Sequence, residues 1–410
     1  MHTNVKPALP VVLALFVLTI AACTQHPFGI FASIQRERKI PLDRNLGKEL
    51  TVGALAKAGG TYFAATGALY YREQDDPATG TRPLWGAAAA PAAGDQSYRT
   101  MSLVAADLDA GERVYAVFVS PDATDSGVYE INPASPTDPP QSIFTPPEGV
   151  RRINNVFTIN DGTQWLLASA ATTDEPARHR LYASSDGETF GFLEGTELAN
   201  ATWVGVATNG TAVAYLSTTG LWRHPAGITP GTPPEIPLAI PPRGSGAIFT
   251  GIFYDEVGDL LWVADNRGHL YTSDDFGDTW VKGPENPVST SNDTAIPFTV
   301  FAGVPRGGQT IIIVGTGGYG LRVVGVAGEV DANTPVSPPQ VTGSNYQGSG
   351  LASSAIVSLF VDPDAVSGFP VETADGPARW DGHLLFVGTV QKGLWRTLSS
   401  VSGPYQWVRE

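Results

Sequence analysis

Between residues 61 and 395 the apolar positions fall into a two-part phrase that recurs seven times. An apolar run rich in Val, Ile, Leu and Ala ends in small residues, and a short break leads to Leu or Val beside an aromatic or long side chain. The runs begin at Thr61, Val114, Trp165, Ala212, Leu260, Ile311 and Leu384. The closing pairs are Leu69-Tyr70, Val128-Tyr129, Leu181-Tyr182, Leu221-Trp222, Leu270-Tyr271, Leu321-Arg322 and Leu394-Trp395. A continuous apolar run of this length reads as a strand covered on both faces, the second of its unit. The pair that follows opens a third strand, through Gly67, Gly127, Gly220, Gly268, Gly320 or Gly393, where a tight turn asks for positive φ. Unit three has Arg180 in that place, and its connection, 170–180, is long enough not to need a tight turn. First strands are expected at 50–56, 99–105, 154–159, 202–207, 248–254, 298–302 and 355–361. Fourth strands are weakest, at 83–86, 279–282 and 405–409. Pro and Gly interrupt nearly every window long enough for an amphipathic helix.

The closing pairs are spaced by about 54 residues on average, close to the roughly 40 to 50 of known four-stranded propeller blades. The expected fold is therefore all-β, a seven-bladed β-propeller of four-stranded antiparallel blades over residues 46–410. A β-sandwich would not need the same phrase at a near-constant period. The long gap between Arg322 and Trp395 contains no further strand pair, so 362–380 reads as an insertion. The last blade owns its fourth strand, although 28–34 could add an edge strand. Gly 46 and Pro 33 with 42% hydrophobic residues suit many short strands and turns rather than disorder.

The N-terminus carries Lys6 and then an apolar run at 9–22, too short for the roughly 20 residues a membrane-spanning helix needs. Ile20-Ala21-Ala22-Cys23 resembles a bacterial lipobox, and Cys23 is the only cysteine of the chain. A lone Cys in a secreted chain cannot form an internal disulfide, and lipidation accounts for it. The resemblance implies a lipoprotein signal peptide at 1–22, a tether and lead-in at 23–45, and a mature chain held extracytoplasmically on a bacterial membrane through lipidated Cys23. Thr24, where an Asp would favour the inner membrane, implies outer-membrane sorting in a Gram-negative host.

Residues 273–280, Ser273-Asp274-Asp275-Phe276-Gly277-Asp278-Thr279-Trp280, match the Asp-box, or BNR repeat, of propeller blades. Ser184, Asp186, Gly187, Thr189 and Phe190 form a shortened copy. An Asp in such a turn accepts backbone N–H groups, Gly permits the turn and the aromatic packs beneath it. The chain thus resembles Asp-box propellers, which include sialidases, xyloglucan-hydrolysing enzymes, sortilin-type receptors and photosystem-assembly factors. In those families the motif lies on the face opposite the ligand, which implies a structural role for Asp186 and Asp275.

A catalytic constellation is not legible. The sialidase resemblance would require an Arg-Ile-Pro motif, and the nearest match, Arg38-Lys39-Ile40-Pro41, puts a Lys where a bidentate Arg is needed. Carboxylates for a glycosidase pair are available at Asp107, Asp109, Asp255, Glu256, Asp362, Asp364 and Glu372, each read as a solvated turn residue. Asp107, Asp109 and Glu112, like Asp362 and Asp364, are too closely spaced for an EF-hand loop, and six His form no zinc-type cluster, so neither metal nor cofactor is expected. A net charge of −15 disfavours nucleic acid. The second-to-third-strand loops would bring Asp122, Asp125, Arg178, Arg243, Arg267, Tyr319 and Lys392 to one face. The expectation is a lipid-anchored envelope propeller that binds a protein or glycan partner on that face, with a carbohydrate-active enzyme of the Asp-box type as the alternative.

Overall fold

The structure is a computed structural model. It describes residues 46, 50–75, 83–91, 98–108, 111–122, 125–229, 231–234, 246–282, 297–306, 309–326, 354–373, 376–398 and 406–410. Cys23, the signal and tether segments, 28–34, 38–41 and Arg243 lie outside the described residues.

The strands form seven antiparallel sheets, each from consecutive strands. Sheet one holds β1 (Ala54–Ala58), β2 (Thr61–Ala65), β3 (Leu69–Glu73) and β4 (Gly86–Ala87). Sheet two holds β5 (Arg99–Leu108), β6 (Gly111–Val119), β7 (Ser126–Ile131) and β8 (Gln141–Phe144). Sheet three holds β9 (Val150–Asn160), β10 (Gln164–Thr172), β11 (Arg178–Ser184) and β12 (Gly191–Phe192), with β13 (Leu198–Ala199) on the other end of β11. Sheet four holds β14 (Trp203–Thr208), β15 (Val213–Ser217) and β16 (Leu221–His224). Sheet five holds β17 (Phe249–Asp255), β18 (Leu260–Asp265), β19 (Leu270–Ser273) and β20 (Val281–Lys282). Sheet six holds β21 (Phe298–Arg306), β22 (Gln309–Thr316) and β23 (Leu321–Val326). Sheet seven holds β24 (Ile356–Thr373), β25 (Gly376–Thr389), β26 (Leu394–Leu398) and β27 (Gln406–Arg409). First strands of successive sheets lie against one another, and β24 lies against β1. This is a β-propeller.

The second strands are apolar throughout because their alternate side chains enter two different cores. Phe63 and Ala65 pack toward sheet two, whereas Tyr62 and Ala64 pack toward sheet seven. Val114, Ala116 and Phe118 face sheet one while Tyr115, Val117 and Val119 face sheet three. The pattern continues with Val213 and Tyr215 against sheet three and Ala214 and Leu216 against sheet five. Each fully buried Phe here removes enough apolar surface to contribute about 2–3 kcal/mol. First strands crowd one another, and a Cβ on Gly303 would come 2.2 Å from the Phe253 ring of the preceding sheet.

The structure corrects the expected elements in several places. Sheets four and six have three strands among the described residues, not four, and β4 and β20 are two-residue strands. The 362–380 segment is not a separate insertion, because β24 and β25 pair on past a register shift at Asp362/Val366 to the end of the hairpin. Gly67, Gly268, Gly320 and Gly393 have positive φ as the turns require. Gly127 and Gly220 do not; their need is for space, since a Cβ would lie 3.0 Å from the Phe144 carbonyl oxygen and 2.9 Å from the Trp222 ring. Asp255 and Asp362 are not solvated turn acids. Asp255 is buried and accepts from the Thr310 hydroxyl, while Asp362 is fully buried against Lys57.

Sheets one and seven share no strand. Their seam is polar. Val52 N–H donates to Thr389 O at 3.2 Å and Gly393 N–H to Leu50 O at 3.0 Å. Lys57 Nζ lies 2.8 Å from Asp362 Oδ1, and Tyr62 O–H donates to Asp362 Oδ2. The Arg72 guanidinium, fully buried, pairs with Asp75 at 2.9 Å and Glu410 at 3.5 Å. Arg396 pairs with the same two carboxylates, and Trp85 Nε1 donates to Glu410 at 3.2 Å.

Candidate functional site

Antiparallel order fixes two faces. The second-to-third-strand turns and the connections between sheets leave on one, here the loop face, and the other two sets of turns leave on the opposite face. Of the residues expected on the loop face, Asp122 and Asp125 lie in the β6–β7 turn and Arg178 opens β11. Arg267, Tyr319 and Lys392 lie in the corresponding turns of sheets five, six and seven. Two of them are engaged in holding the protein together. Asp125 accepts from the Tyr98 hydroxyl, which raises the tyrosine's pKa, and Arg178 pairs with Glu197 at 3.0 Å.

These turns share a device that the sequence reading missed. A Ser, Thr or Asp closes or directly follows every second strand: Thr66, Ser120, Thr172, Ser217, Asp265, Thr316 and Thr389. Its side chain ties down the turn beyond it. Thr316 and Thr389 hydroxyls each donate at 2.7 Å, to Gly320 O and Gly393 O. Ser217 Oγ accepts from Gly220 N–H at 2.9 Å, and Thr172 Oγ1 from Arg178 N–H at 3.0 Å. Asp265 is buried and gathers the N–H groups of Arg267 and His269, the His269 ring at 3.0 Å and the Tyr271 hydroxyl at 3.1 Å. The signal was present as one polar residue at the end of each apolar run. The turns therefore offer a fixed platform rather than adaptable loops.

First strands carry a register shift near their loop-face ends in sheets two to seven, as at Thr100/Ser102 and Trp203/Gly205. Such bulges re-aim side chains at a rim. Here Arg99, Met101, Arg151 and Arg152 are all exposed. Ser102 Oγ donates to Val156 O at 3.5 Å, so the beginnings of β5 and β9 stand side by side. Arg152 Nε donates to Asn154 Oδ1 at 2.8 Å, and burial together with Arg152 lowers the pKa of the nearby His179. Arg99 and Arg151 make no ion pair or hydrogen bond among the described residues. None of these residues stood out in the sequence, because nothing local distinguishes an exposed Arg that begins a strand.

Beside them, a cleft of about 410 Å³ is lined by Asp174, Glu175, Pro176, Arg178, Arg180, Glu197 and Ala199. Its loop is docked on sheet three, with Thr173 N–H donating to Gly149 O at 3.0 Å. Glu197 lies between Arg178 and Arg180, and the Arg180 hydrogen bond, ahead of its other contacts, depresses the carboxyl pKa. A carboxylate so held is a poor proton donor near neutral pH, which general-acid chemistry would need.

The opposite face holds the two Ser-x-Asp turns. Asp275 accepts from Thr279 N–H at 2.8 Å and Thr279 Oγ1 at 2.6 Å, while Ser273 Oγ bridges Asp275 and the Gly277 N–H. Asp186 accepts from the Glu188 and Thr189 N–H groups, each at 2.8 Å, and from Ser184 Oγ at 2.7 Å. The Thr189 and Glu188 N–H groups and the Ser184 hydroxyl bring the Asp186 pKa down to about 2. Partial desolvation opposes the shift at Asp275, yet its Thr279 and Ser273 contacts also bring it to about 2. Both turns wedge against the preceding sheet. Phe190 stacks on Phe144 at 4.4 Å, Trp280 joins the Ala214 and Leu216 core, and Arg223 of sheet four reaches Asp278 at 2.9 Å.

No family model matches the chain, and none of the curated proteins does. Among solved structures, it is similar to "YCF48 bound to D1 peptide" at a TM-score of 0.52 and 14% identity, over 88% of this chain and 98% of that one. It is also similar to YCF48 from Cyanidioschyzon merolae, at a TM-score of 0.51 and 11% identity, over 87% and 97%. At such identity the likeness is one of fold, and that fold is the β-propeller.

Proposed function

We propose that this chain is a lipid-anchored, seven-bladed propeller of the cell envelope that binds a protein partner on its loop face, as an assembly or docking module. The observation that carries the binding is the exposed pair Arg99 and Arg151, without partners among the described residues on a chain of net charge −15. An acidic protein that leaves arginines idle at one rim is suited to an anionic segment of a partner, and Arg is the side chain that grips carboxylates bidentately. The D1 peptide carried by a propeller of the same fold supports a polypeptide ligand. Seven sheets with adjacent first strands, β24 beside β1 included, support seven blades. The hydrogen-bonded turns at Asp186 and Asp275 support the Asp-box reading and a structural role for both. The anchor rests on Cys23 at the end of the apolar segment.

Both halves are testable. In pull-downs with envelope proteins, Arg99→Ser/Arg151→Ser should lower retention of the bound partner at least tenfold at low salt, with the thermal melt unchanged; equal retention sinks the reading of the rim. Cys23→Ser should move the protein from the membrane pellet to the soluble fraction, and continued pelleting sinks the anchor.

A further inference from the structure

We infer that the part of the loop face on sheets five to seven takes large apolar side chains of the same partner segment, so that the ligand is an extended polypeptide in which apolar residues alternate or cluster with carboxylates. This deepens the proposed function and rests on it. Three large apolar side chains are set out on consecutive sheets: Ile248 at 42% exposure, Tyr319 at 44% and Val390 at 37%. Each belongs to a pinned turn or the segment leading into a first strand. The Tyr319 and Val390 turns flank one residue pair, since Gly320 N–H donates to Ser354 O at 3.0 Å and Val390 N–H to Ala355 O at 2.9 Å. Ile248 is fixed one sheet back, its N–H donating to Asn266 Oδ1 at 3.0 Å and its carbonyl accepting from Asn266 N–H at 2.9 Å. A fold that buries nearly every other aromatic or aliphatic side chain of its second strands has left these outside on rigid backbone, which costs no ordering entropy on binding.

Charge identifies the occupant. Among the described residues of these turns the charges that reach solvent are Arg267 and Lys392, both basic, while Asp265 is buried on its own turn and the His ring. An apolar patch edged by cations, continuous around the loop face with Arg99 and Arg151, complements an apolar segment that carries carboxylates. A second copy of this acidic chain, or a neutral apolar surface, would leave those cations unused.

The test selects random twelve-residue peptides displayed on phage against the full chain, in parallel with Tyr319→Ser/Val390→Ser and Arg99→Ser/Arg151→Ser, all three having matched melts. The wild type should enrich peptides combining Asp or Glu with Leu, Ile, Phe or Trp. Tyr319→Ser/Val390→Ser should lose the apolar preference and keep the acidic one, with about tenfold weaker binding of the best peptide by fluorescence anisotropy. Acidic peptides with no apolar preference on the wild type would overturn this inference and leave the proposed function standing. Absence of acidic enrichment would overturn the proposed function itself. A dimer in sedimentation that Tyr319→Ser/Val390→Ser dissociates would assign the patch to a second copy, against the inference.

Discussion

Arginine occupies two opposite settings in this molecule. At the seam of sheets one and seven, Arg72 and Arg396 are buried, share Asp75 and Glu410, and Arg72 lies over the Trp85 and Tyr62 rings at 5.7 and 5.4 Å. At the loop-face rim, Arg99 and Arg151 stand exposed with no partner among the described residues. The first pair has carboxylates in numbers that neutralise it, because a guanidinium withdrawn from water must be compensated where it lies. The second pair is hydrated and needs nothing from the fold. Position relative to the core, not residue type, therefore separates the charges that hold the propeller together from those available to a partner.

The largest expected effect breaks the buried side of that contrast. Arg72→Met leaves Glu410 and Asp75 short of a counter-charge, and removing one member of such a network costs about 3–5 kcal/mol, to be read from urea unfolding. A loss below about 1 kcal/mol would mean that the seam contributes nothing special to closure. An intermediate effect is expected at the opposite-face turns. Asp275→Ala should cost about 1–2 kcal/mol, as charge-assisted bonds to backbone N–H groups are lost. Their pH dependence has a defined sign. Asp186 and Asp275 have folded pKa values of about 2, below the unfolded range, so their stabilisation is present above about pH 4 and is lost as pH falls toward 2. Acid melts of Asp186→Ala/Asp275→Ala should be flatter than wild type across that window; parallel curves would show that the turns do not titrate as described. The smallest stability effect belongs to the rim, where Arg99→Ser/Arg151→Ser should change unfolding by less than about 0.5 kcal/mol while binding is lost.

The repeat was readable because it is written twice in each unit, in the apolar second strand and in the closing pair, and both obey local rules. Seven runs beginning at Thr61, Val114, Trp165, Ala212, Leu260, Ile311 and Leu384 all fall in or beside second strands. Less legible were the edges. Fourth strands such as Gly86–Ala87 are too short to have a period, and the hairpin beyond Asp362 lacks the continuous apolar run by which strands were recognised. Of the expected loop-face residues, those in described turns do lie there, but Asp125 and Arg178 turned out to be bound to Tyr98 and Glu197, partners 27 and 19 residues away. Arg99 and Arg151 escaped notice because an exposed strand start has no sequence signature.

By itself, then, the sequence determined the strand phrase, its period and the turn chemistry, since apolar alternation, glycine turns and Ser-x-Asp hydrogen bonding act over a few residues. Only the tertiary structure decided which charges are spent. Asp362 pairs with Lys57 across 305 residues and Arg396 with Asp75 across 321, contacts that exist because the sheets bring the two ends of the propeller side by side. The idle arginines and the exposed Tyr319 became visible only by subtraction, once every other partner had been placed.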